Sequence, residues 1–247
     1  MNHVVVQMAV TLLTINDMKR YYEMVSGTVK ALDGVDLEVK EGERIILLGP
    51  SGSGKTTLLN CIAALDSPTA GTYSFEGKEV PRNAPEDMTT FRRDNIGYVF
   101  QFFNLLQDLT VLENILLIQE LAGGRDEKRA RELLALVGLE AEVDRFPTEI
   151  SGGQQQRVAI ARSLAKKPKL LLGDELTGNL DTKTSSMVME VLVKACEAEG
   201  ITTVFVTHDE SLIRYATRVI RLDSGIVITD KDARGDMLKT LLTRRLF

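Results

Sequence analysis

The sequence predicts an α/β fold with a parallel central sheet, an N-terminal antiparallel β region and an inserted α-helical region. Short apolar runs of strand type alternate with helix-length segments at both ends of the 247-residue chain, the pattern of a parallel sheet covered by helices. Between Met8 and Val39, apolar and polar residues alternate at strand spacing. Between Val111 and Leu139, apolar residues repeat at helical spacing.

The individual elements follow from periodicity and from turn residues. Strands are predicted before and after a turn at Gly34, up to a second turn at Glu41-Gly42. Further strands are predicted over 44–48, 72–75, 96–100, 170–173, 201–206 and 219–228, the last of these being a hairpin. Helices are predicted over 57–65, within 111–139 ending at Gly138, from Ser151, and over 182–199 ending at Gly200.

The elements predict a single domain made of three regions. Residues 1–102 and 166–230 form an α/β core, residues 103–165 a helical subdomain inserted between its halves, and residues 231–247 a C-terminal tail. The tail carries Lys239, Arg244 and Arg245 among leucines, which predicts a short amphipathic helix on the surface. The apolar run 4–10 lacks a basic flank and a cleavage site, so we interpret it as a strand or an extension, with Met8 as an alternative start.

Composition excludes some classes of function. The net charge of −5 argues against a nucleic-acid surface. No segment approaches the ~20 apolar residues of a membrane span, so work at a membrane would require a partner. Cys61 and Cys196 are predicted to be buried in a protein of a reducing compartment, although Cys61 lies close enough to the glycine-rich loop to be a redox sensor instead.

A glycine-rich loop lies between a predicted strand and a predicted helix. Its residues match the phosphate-binding pattern G-x-x-x-x-G-K-[ST] and are Gly49, Pro50, Ser51, Gly52, Ser53, Gly54, Lys55 and Thr56, followed by Thr57 in the helix. Glycines let the backbone wrap a phosphate, and the N–H groups at the helix start favour an anion. Lys55 is predicted to reach the β- and γ-phosphates and Thr56 to ligate Mg²⁺, which indicates a P-loop NTPase core.

Two acidic residues end the predicted buried strand 170–173. Ligands of such sheets bind at the carboxyl ends of the strands, where Asp174 and Glu175 would emerge. Phosphoryl transfer depends on positioning and on charge stabilisation. Asp174 is therefore predicted to hold Mg²⁺, and Glu175 to orient and polarise the attacking water.

A second candidate anion site follows the helical insert. Ser151 is a good N-cap, and Gly152, Gly153 and Gln154 leave backbone N–H groups open at a helix start. Together with the phosphate loop and the acidic strand end, in this order, the element resembles the signature of the ATP-binding cassette (ABC) ATPases. The resemblance extends from about Leu12 to Asp230.

The resemblance implies roles for further residues. Tyr22 resembles the aromatic residue that stacks on adenine, with Tyr21 as the alternative. Gln101 resembles the glutamine that contacts Mg²⁺ and the attacking water. Asp181 resembles the residue that links two active sites, and His208 resembles the histidine that contacts the γ-phosphate.

The family also implies partners. Two chains would form a head-to-tail homodimer in which the Ser151–Gln154 element of one chain completes the ATP site of the other. ATP would favour the closed dimer, and its hydrolysis would drive a separate membrane permease from the cytoplasmic face of the membrane. The permease is expected to dock along 101–118, where Phe102, Phe103 and Leu105 either line a groove or pack in the core.

Two departures from the family pattern surround the acids. Leu176 replaces the usual proline, and Gly173 is smaller than the usual residue before the acids. These departures predict a less rigid loop and slower hydrolysis.

The variable stretches 92–101, 104–106, 109–114 and 175–181 resemble the branch of lipoprotein-releasing ATPases and of macrolide and antimicrobial-peptide exporters. An amino-acid importer ATPase and a non-transport ABC ATPase remain alternatives. A GTPase or kinase would lack the Ser151–Gln154 element, and a pseudo-ATPase would be expected to lose Lys55, Glu175 or His208.

Overall fold

The computed structural model describes residues 10–233, which form two sheets and six α-helices. The strands are β1 Thr11–Met24, β2 Gly27–Lys40, β3 Arg44–Leu48, β4 Ala70–Phe75, β5 Lys78–Glu79, β6 Ile96–Val99, β7 Leu170–Asp174, β8 Thr202–Val206, β9 Arg218–Asp223 and β10 Ile226–Asp232. The helices are α1 Lys55–Ile62, α2 Pro85–Asn95, α3 Val111–Leu121, α4 Glu127–Leu136, α5 Gly152–Leu164 and α6 Thr182–Glu199.

The central sheet has the order β10-β9-β3-β8-β7-β6 and is parallel except for the hairpin strand β10. The parallel strands place the ends of β3, β6, β7 and β8 at one edge. The phosphate loop, Gln101, the acids and His208 follow these four strands, so the sheet brings them to the same side of the molecule.

Both faces of the central sheet are buried. Ile46 and Leu48 of β3 pack into a core shared with α3, α4, α5 and α6. Ile45 and Leu47 pack on the opposite face with α1 and the smaller, antiparallel sheet β2-β1-β4-β5. This alternation explains why β3 reads as a continuous apolar run.

Capping interactions fix the helical insert where the sequence indicates. Thr110 caps α3 through a reciprocal capping box with Glu113, and Ser151 caps α5 in the same way with Gln154. Gly138 follows α4 with φ +68°, and Gly200 ends α6 with φ +67°, as their predicted stop positions require.

Several sequence-based predictions of elements are corrected. Gly34 is not a turn, because it lies inside β2 with φ +98°, between Asp33 and Val35 that pair with consecutive residues of β1. A glycine with positive φ is typical of a β-bulge as well as of a turn. Helix α1 begins at Lys55 rather than Thr57, and the helical stretch 111–139 contains two helices. The predictions for residues 1–9 and for the tail beyond Ala233 lie outside the described residues.

Helix α2 has no counterpart among the predictions. None of its residues is fully buried; Met88 and Phe91 pack against the core in part, and two apolar residues are too few to show a helical period. The sequence features that indicate this helix are the proline at its first position, the acidic residues in its first turn and the arginines in its last turn.

Both cysteines are buried, as predicted. Burial raises the pKa of Cys61 and of Cys196 to about 12. A thiol with such a pKa forms little thiolate, so the structure does not support Cys61 as a redox sensor.

We expect Gly97→Ala to destabilise the fold through overpacking. A Cβ at Gly97 would lie 2.8 Å from both Leu171 Cδ1 and Ser163 O, although the backbone at Gly97 suits any residue. The expected loss in the free energy of unfolding is about 1–3 kcal/mol, measured by urea denaturation. Gly124→Ala is the control, because a Cβ there meets no atom within 4 Å. An equal effect of both substitutions would contradict the packing argument.

Candidate functional site

The phosphate loop is held by neighbouring backbone that leaves no room for side chains. A Cβ at Gly49 would lie 2.1 Å from Leu222 O, and a Cβ at Gly54 would lie 2.2 Å from Ala31 O. Both glycines also have positive φ, +154° and +99°. Gly54 caps α1 without a side-chain hydrogen bond, so the orphan N–H groups of the first helical turn are left for another acceptor.

A cavity of about 490 Å³ opens above this loop, a volume in the range of small-molecule sites. Its lining includes the predicted residues Gly49, Ser51, Gly52, Gly54, Lys55, Thr56, Thr57, Gln101, Glu175 and His208. Pro50, Ser53 and Asp174 do not line it, although each is adjacent in sequence to a residue that does. The structure thus brings together most of the predicted site.

Lys55 lies folded along its own loop. The Nζ atom donates hydrogen bonds of 2.8 Å to Gly49 O and of 2.8 Å to Pro50 O, and the residue is 8% exposed. Beside it, the buried Ser53 Oγ has no hydrogen-bond partner in the described part of the chain. A buried polar atom without a partner is unusual and is consistent with a site whose ligand supplies one.

The acidic end of β7 lies next to the start of α1. Thr56 Oγ1 donates to Asp174 Oδ1 across 3.3 Å. Burial raises the pKa of Asp174, while the hydrogen bond from Thr56 acts in the opposite direction. A hydroxyl and a carboxylate oxygen therefore converge at the floor of the site.

Glu175 and His208 lie next to each other in the wall of the cavity. His208 Nδ1 lies 3.0 Å from the Glu175 carboxylate, and the Glu175 N–H donates to Val206 O at 3.0 Å. The Glu175 backbone has φ +49°, a conformation uncommon for a residue with a side chain. These bonds fix Glu175 at the sheet edge with its carboxylate toward the cavity.

Gln101 reaches the cavity from the end of β6. Its carbonyl accepts from Asn179 Nδ2 at 3.3 Å, and its Nε2 lies 3.7 Å from the position of a Cβ at Gly178. The loop after β6 therefore contacts the loop that follows the acids.

Neither predicted adenine-stacking tyrosine lines the cavity. Tyr22 OH donates to Asp66 Oδ2 at 2.7 Å, and the Arg20 guanidinium lies 4.4 Å from the centre of its ring. Tyr22 nevertheless borders the site, because it pairs across the sheet with Val29 of β2, which lines the cavity. Tyr21 OH instead bonds to Asp33, with Lys30 Nζ 5.3 Å from its ring centre.

The Ser151–Gln154 element and Asp181 lie away from this cavity but next to each other. Ser151 Oγ accepts from the Gln154 N–H at 3.3 Å, while Asp181 caps α6 by accepting from the N–H groups of Lys183 and Thr184. A Cβ at Gly153 would lie 2.5 Å from Thr184 Cγ2. These predicted residues therefore form a second surface location.

Some cavity residues are absent from the sequence-based prediction. They are Val29, Lys30, Ala31 and Val206. Val206 directly precedes Thr207-His208 at the end of β8, so its place could have been inferred. The β2 residues carry no motif, and they lie beside the loop because the Ala31 backbone packs against Gly54.

The family model for ABC transporters matches residues 32–178, more than half of the chain. The chain belongs to this family. The predicted P-loop α/β fold and ATP hydrolysis are thereby confirmed, and the family binds ATP and ADP.

Relatives and solved structures agree with this assignment. The lipoprotein-releasing system ATP-binding protein LolD of Geobacter metallireducens is 46% identical over 89% of this chain and 99% of its own length. The macrolide export ATP-binding/permease protein MacB of Syntrophobacter fumaroxidans is 42% identical over 92% of this chain, which spans only 32% of that larger protein. The dimeric ATP-binding cassette MJ0796 bound to ADP and Pi has a TM-score of 0.82 and 41% identity, covering 91% of this chain and 100% of that one.

We expect Gly54→Ala to weaken ATP binding by at least about tenfold, equivalent to ~1.4 kcal/mol. A Cβ there would displace the Ala31 backbone and strain a residue of positive φ. Titration with a fluorescent ATP analogue measures the change. Gly42→Ala is the matched control, since Gly42 has φ +77° but no atom within 4 Å of a Cβ and lies outside the cavity. Unchanged affinity of the Gly54 variant would show that the loop tolerates displacement.

Proposed function

We propose that the chain is the ATP-hydrolysing subunit of an ABC transporter of the export or lipoprotein- or peptide-release type, which drives a separate membrane permease. The observation that carries the proposal is the single cavity that joins the phosphate loop to Glu175, His208 and Gln101. Similarity to LolD over nearly its whole length favours this branch.

The phosphate loop binds the nucleotide in this proposal. Residues Gly49 to Thr57 surround the phosphates with N–H groups and the positive end of α1. Lys55 exchanges the carbonyl oxygens of Gly49 and Pro50 for the β- and γ-phosphates. Tyr22 is the proposed adenine contact, and Tyr21 is the alternative; they pair across the sheet with Val29 and Lys30, which line the cavity.

Magnesium fits the oxygen ligands at the floor of the site. Thr56 Oγ1 and Asp174 lie together, and Gln101 faces the same cavity. Within residues 10–233, no three His, Cys, Asp or Glu side chains group closely enough to hold a metal ion alone. Mg²⁺ is commonly held by one or two protein ligands together with substrate phosphates. When bound, it would neutralise charge that develops on the phosphates.

Hydrolysis is assigned to the acidic wall. Glu175 orients and polarises a water whose oxygen bonds to the γ-phosphorus while the bond to the bridging oxygen of ADP breaks. His208, bonded to Glu175, contacts the γ-phosphate. Gln101 contacts the metal and the water, and its bond with Asn179 couples it to the loop after the acids.

The Ser151–Gln154 element acts on a second copy of the chain. In one chain this element and Asp181 lie outside the cavity, where they are available to a partner. A head-to-tail homodimer would place them over the partner's phosphates, and the dimeric structure of the similar cassette MJ0796 supports the formation of a dimer. Hydrolysis then removes the ligand that joins the two chains.

The permease docks beside the proposed helical subdomain, residues 103–165. Phe102 is 68% exposed and suits this contact, whereas Leu105 is 6% exposed and packs in the core. Phe103 is partly buried against the same core. A cavity of about 250 Å³ lies nearby, lined by Leu65, Tyr98, Phe100 and Ile118 among others.

This partner would place the chain at the cytoplasmic face of the membrane as a peripheral subunit. No helix within the described residues 10–233 is long and apolar enough to cross a bilayer.

We expect Glu175→Gln to bind ATP with near-native affinity, because the phosphate loop is intact, while hydrolysis falls by at least about 10²-fold. The variant should dimerise when Mg-ATP is added, measured by light scattering after size-exclusion chromatography. Lys55→Ala is the control that should neither bind ATP tightly nor dimerise. A Glu175 variant that stays monomeric at saturating ATP would contradict the dimer, and one that hydrolyses ATP at the native rate would contradict the role of Glu175.

We further expect Glu175→Gln to retain its permease in a mild-detergent pull-down from native membranes with Mg-ATP. A permease with few spans and a large extracytoplasmic domain supports the export or release type. A compact permease accompanied by a solute-binding protein supports the amino-acid importer alternative. Recovery of soluble proteins alone would contradict transport and favour a non-transport ABC ATPase. Lys55→Ala controls for capture that does not depend on ATP.

A further inference from the structure

A side chain at position 173 is excluded by a neighbouring side chain and not by the backbone conformation of Gly173. It lies inside β7, paired with Val99 of β6 and Phe205 of β8, and its φ is one that any residue adopts. A Cβ at Gly173 would lie 2.7 Å from Leu176 Cδ1 and 2.8 Å from Leu176 Cδ2. Such distances are not compatible with packing, so the Leu176 side chain occupies the place of a side chain at 173.

Leu176 is in turn anchored in the core. It is 4% exposed and packs in the cluster that the sheet shares with α3, α5 and α6. It follows Glu175 directly, so the buried side chain fixes the chain one residue beyond the carboxylate. The Glu175 backbone is fixed on its other side by the bonds of its N–H to Val206 O and of its carbonyl to the Gly178 N–H, at 3.0 and 3.1 Å.

The turn held in this way touches the reacting groups on both sides. The position of a Cβ at Gly178 is 3.7 Å from Gln101 Nε2 and 3.8 Å from Glu175 Cβ. His208 Nδ1 lies 3.0 Å from the Glu175 carboxylate. A shift of Leu176 would therefore move Glu175 relative to Gln101 and His208 together.

We propose that Leu176 is a positioning residue for ATP hydrolysis, and that Gly173 is the space that its side chain requires. A proline at 176 would limit the turn by fixing φ. Here, burial of Leu176 against Gly173 performs that task instead. The two departures from the family pattern are thus one compensated pair, which replaces the expectation of a looser loop and slower hydrolysis. The proposal rests on the proposed role of Glu175.

The test measures kcat and KM for ATP in single and double variants of the full chain. We expect Leu176→Ala and Gly173→Ala each to lower kcat by about tenfold or more, because a misplacement of about 1 Å can cost roughly 10²-fold. The KM should change by no more than about twofold, since Leu176 does not line the nucleotide cavity. The double variant Gly173→Ala/Leu176→Pro should recover most of the kcat lost in Gly173→Ala, because proline removes the clashing methyl groups and restrains the turn.

The controls separate positioning from general loss of packing. Leu192→Ala truncates an equally buried leucine of the same core, in α6, and should leave kcat within about twofold at a temperature where it is folded. Wild-type kcat in Leu176→Ala, an equal fall in Leu192→Ala, or no recovery in the double variant would each overturn the proposal. Native hydrolysis by Glu175→Gln would instead refute the role of Glu175, which is the proposed function itself.

Discussion

The register of the parallel strands is the constraint on which the whole site depends. Asp174 pairs with Val206, and Leu47 pairs with Val206 on the opposite side. Strand β8 therefore aligns the end of β3, which leads into the phosphate loop, with the end of β7, which carries the acids. A slip of one residue would send the side chains of a strand to the opposite face of the sheet. The continuous burial of both faces makes such a slip costly, because it would disturb two cores at once.

A second constraint is that the part of the cavity wall formed by Glu175 and His208 is held by main-chain bonds as much as by side chains. Glu175 donates its N–H to Val206 O, and Gly178 donates back to Glu175 O. These bonds hold the Glu175 backbone in an uncommon conformation, with φ +49°. Strain of this kind persists where the surroundings over-determine it and clusters at functional sites. Here the buried Leu176 side chain and the core residues packed around it restrain the Glu175 backbone.

The sequence was sufficient for features whose cause is local. The phosphate loop, the cap at Ser151 and the glycine stops depend on a few adjacent residues, so the sequence alone predicts them. Features that depend on contacts with residues distant in sequence could not be predicted. Gly34 has the composition of a turn, yet pairing with β1 makes it a bulge. Helix α2 contacts the core mainly through the partly buried Met88 and Phe91, which are too few to show a helical period. The bond between Tyr22 and Asp66, and the fit of Leu176 over Gly173, exist only once the fold brings the partners together.

The two hydrogen bonds of Lys55 to its own loop affect how the site exchanges ligands. The Lys55 ammonium group donates to Gly49 O and Pro50 O at 2.8 Å, so its charge has neutral acceptors within its own loop. In the proposed binding mode, phosphate oxygens would replace these neutral acceptors with charged ones, and only the difference between the two would contribute to affinity. The carbonyl oxygens of the loop would thus compete with the phosphate for the Lys55 ammonium group. In the proposed role of Lys55, the same carbonyl oxygens would take the ammonium group back when the γ-phosphate departs, so the buried charge would have acceptors at both ends of the cycle.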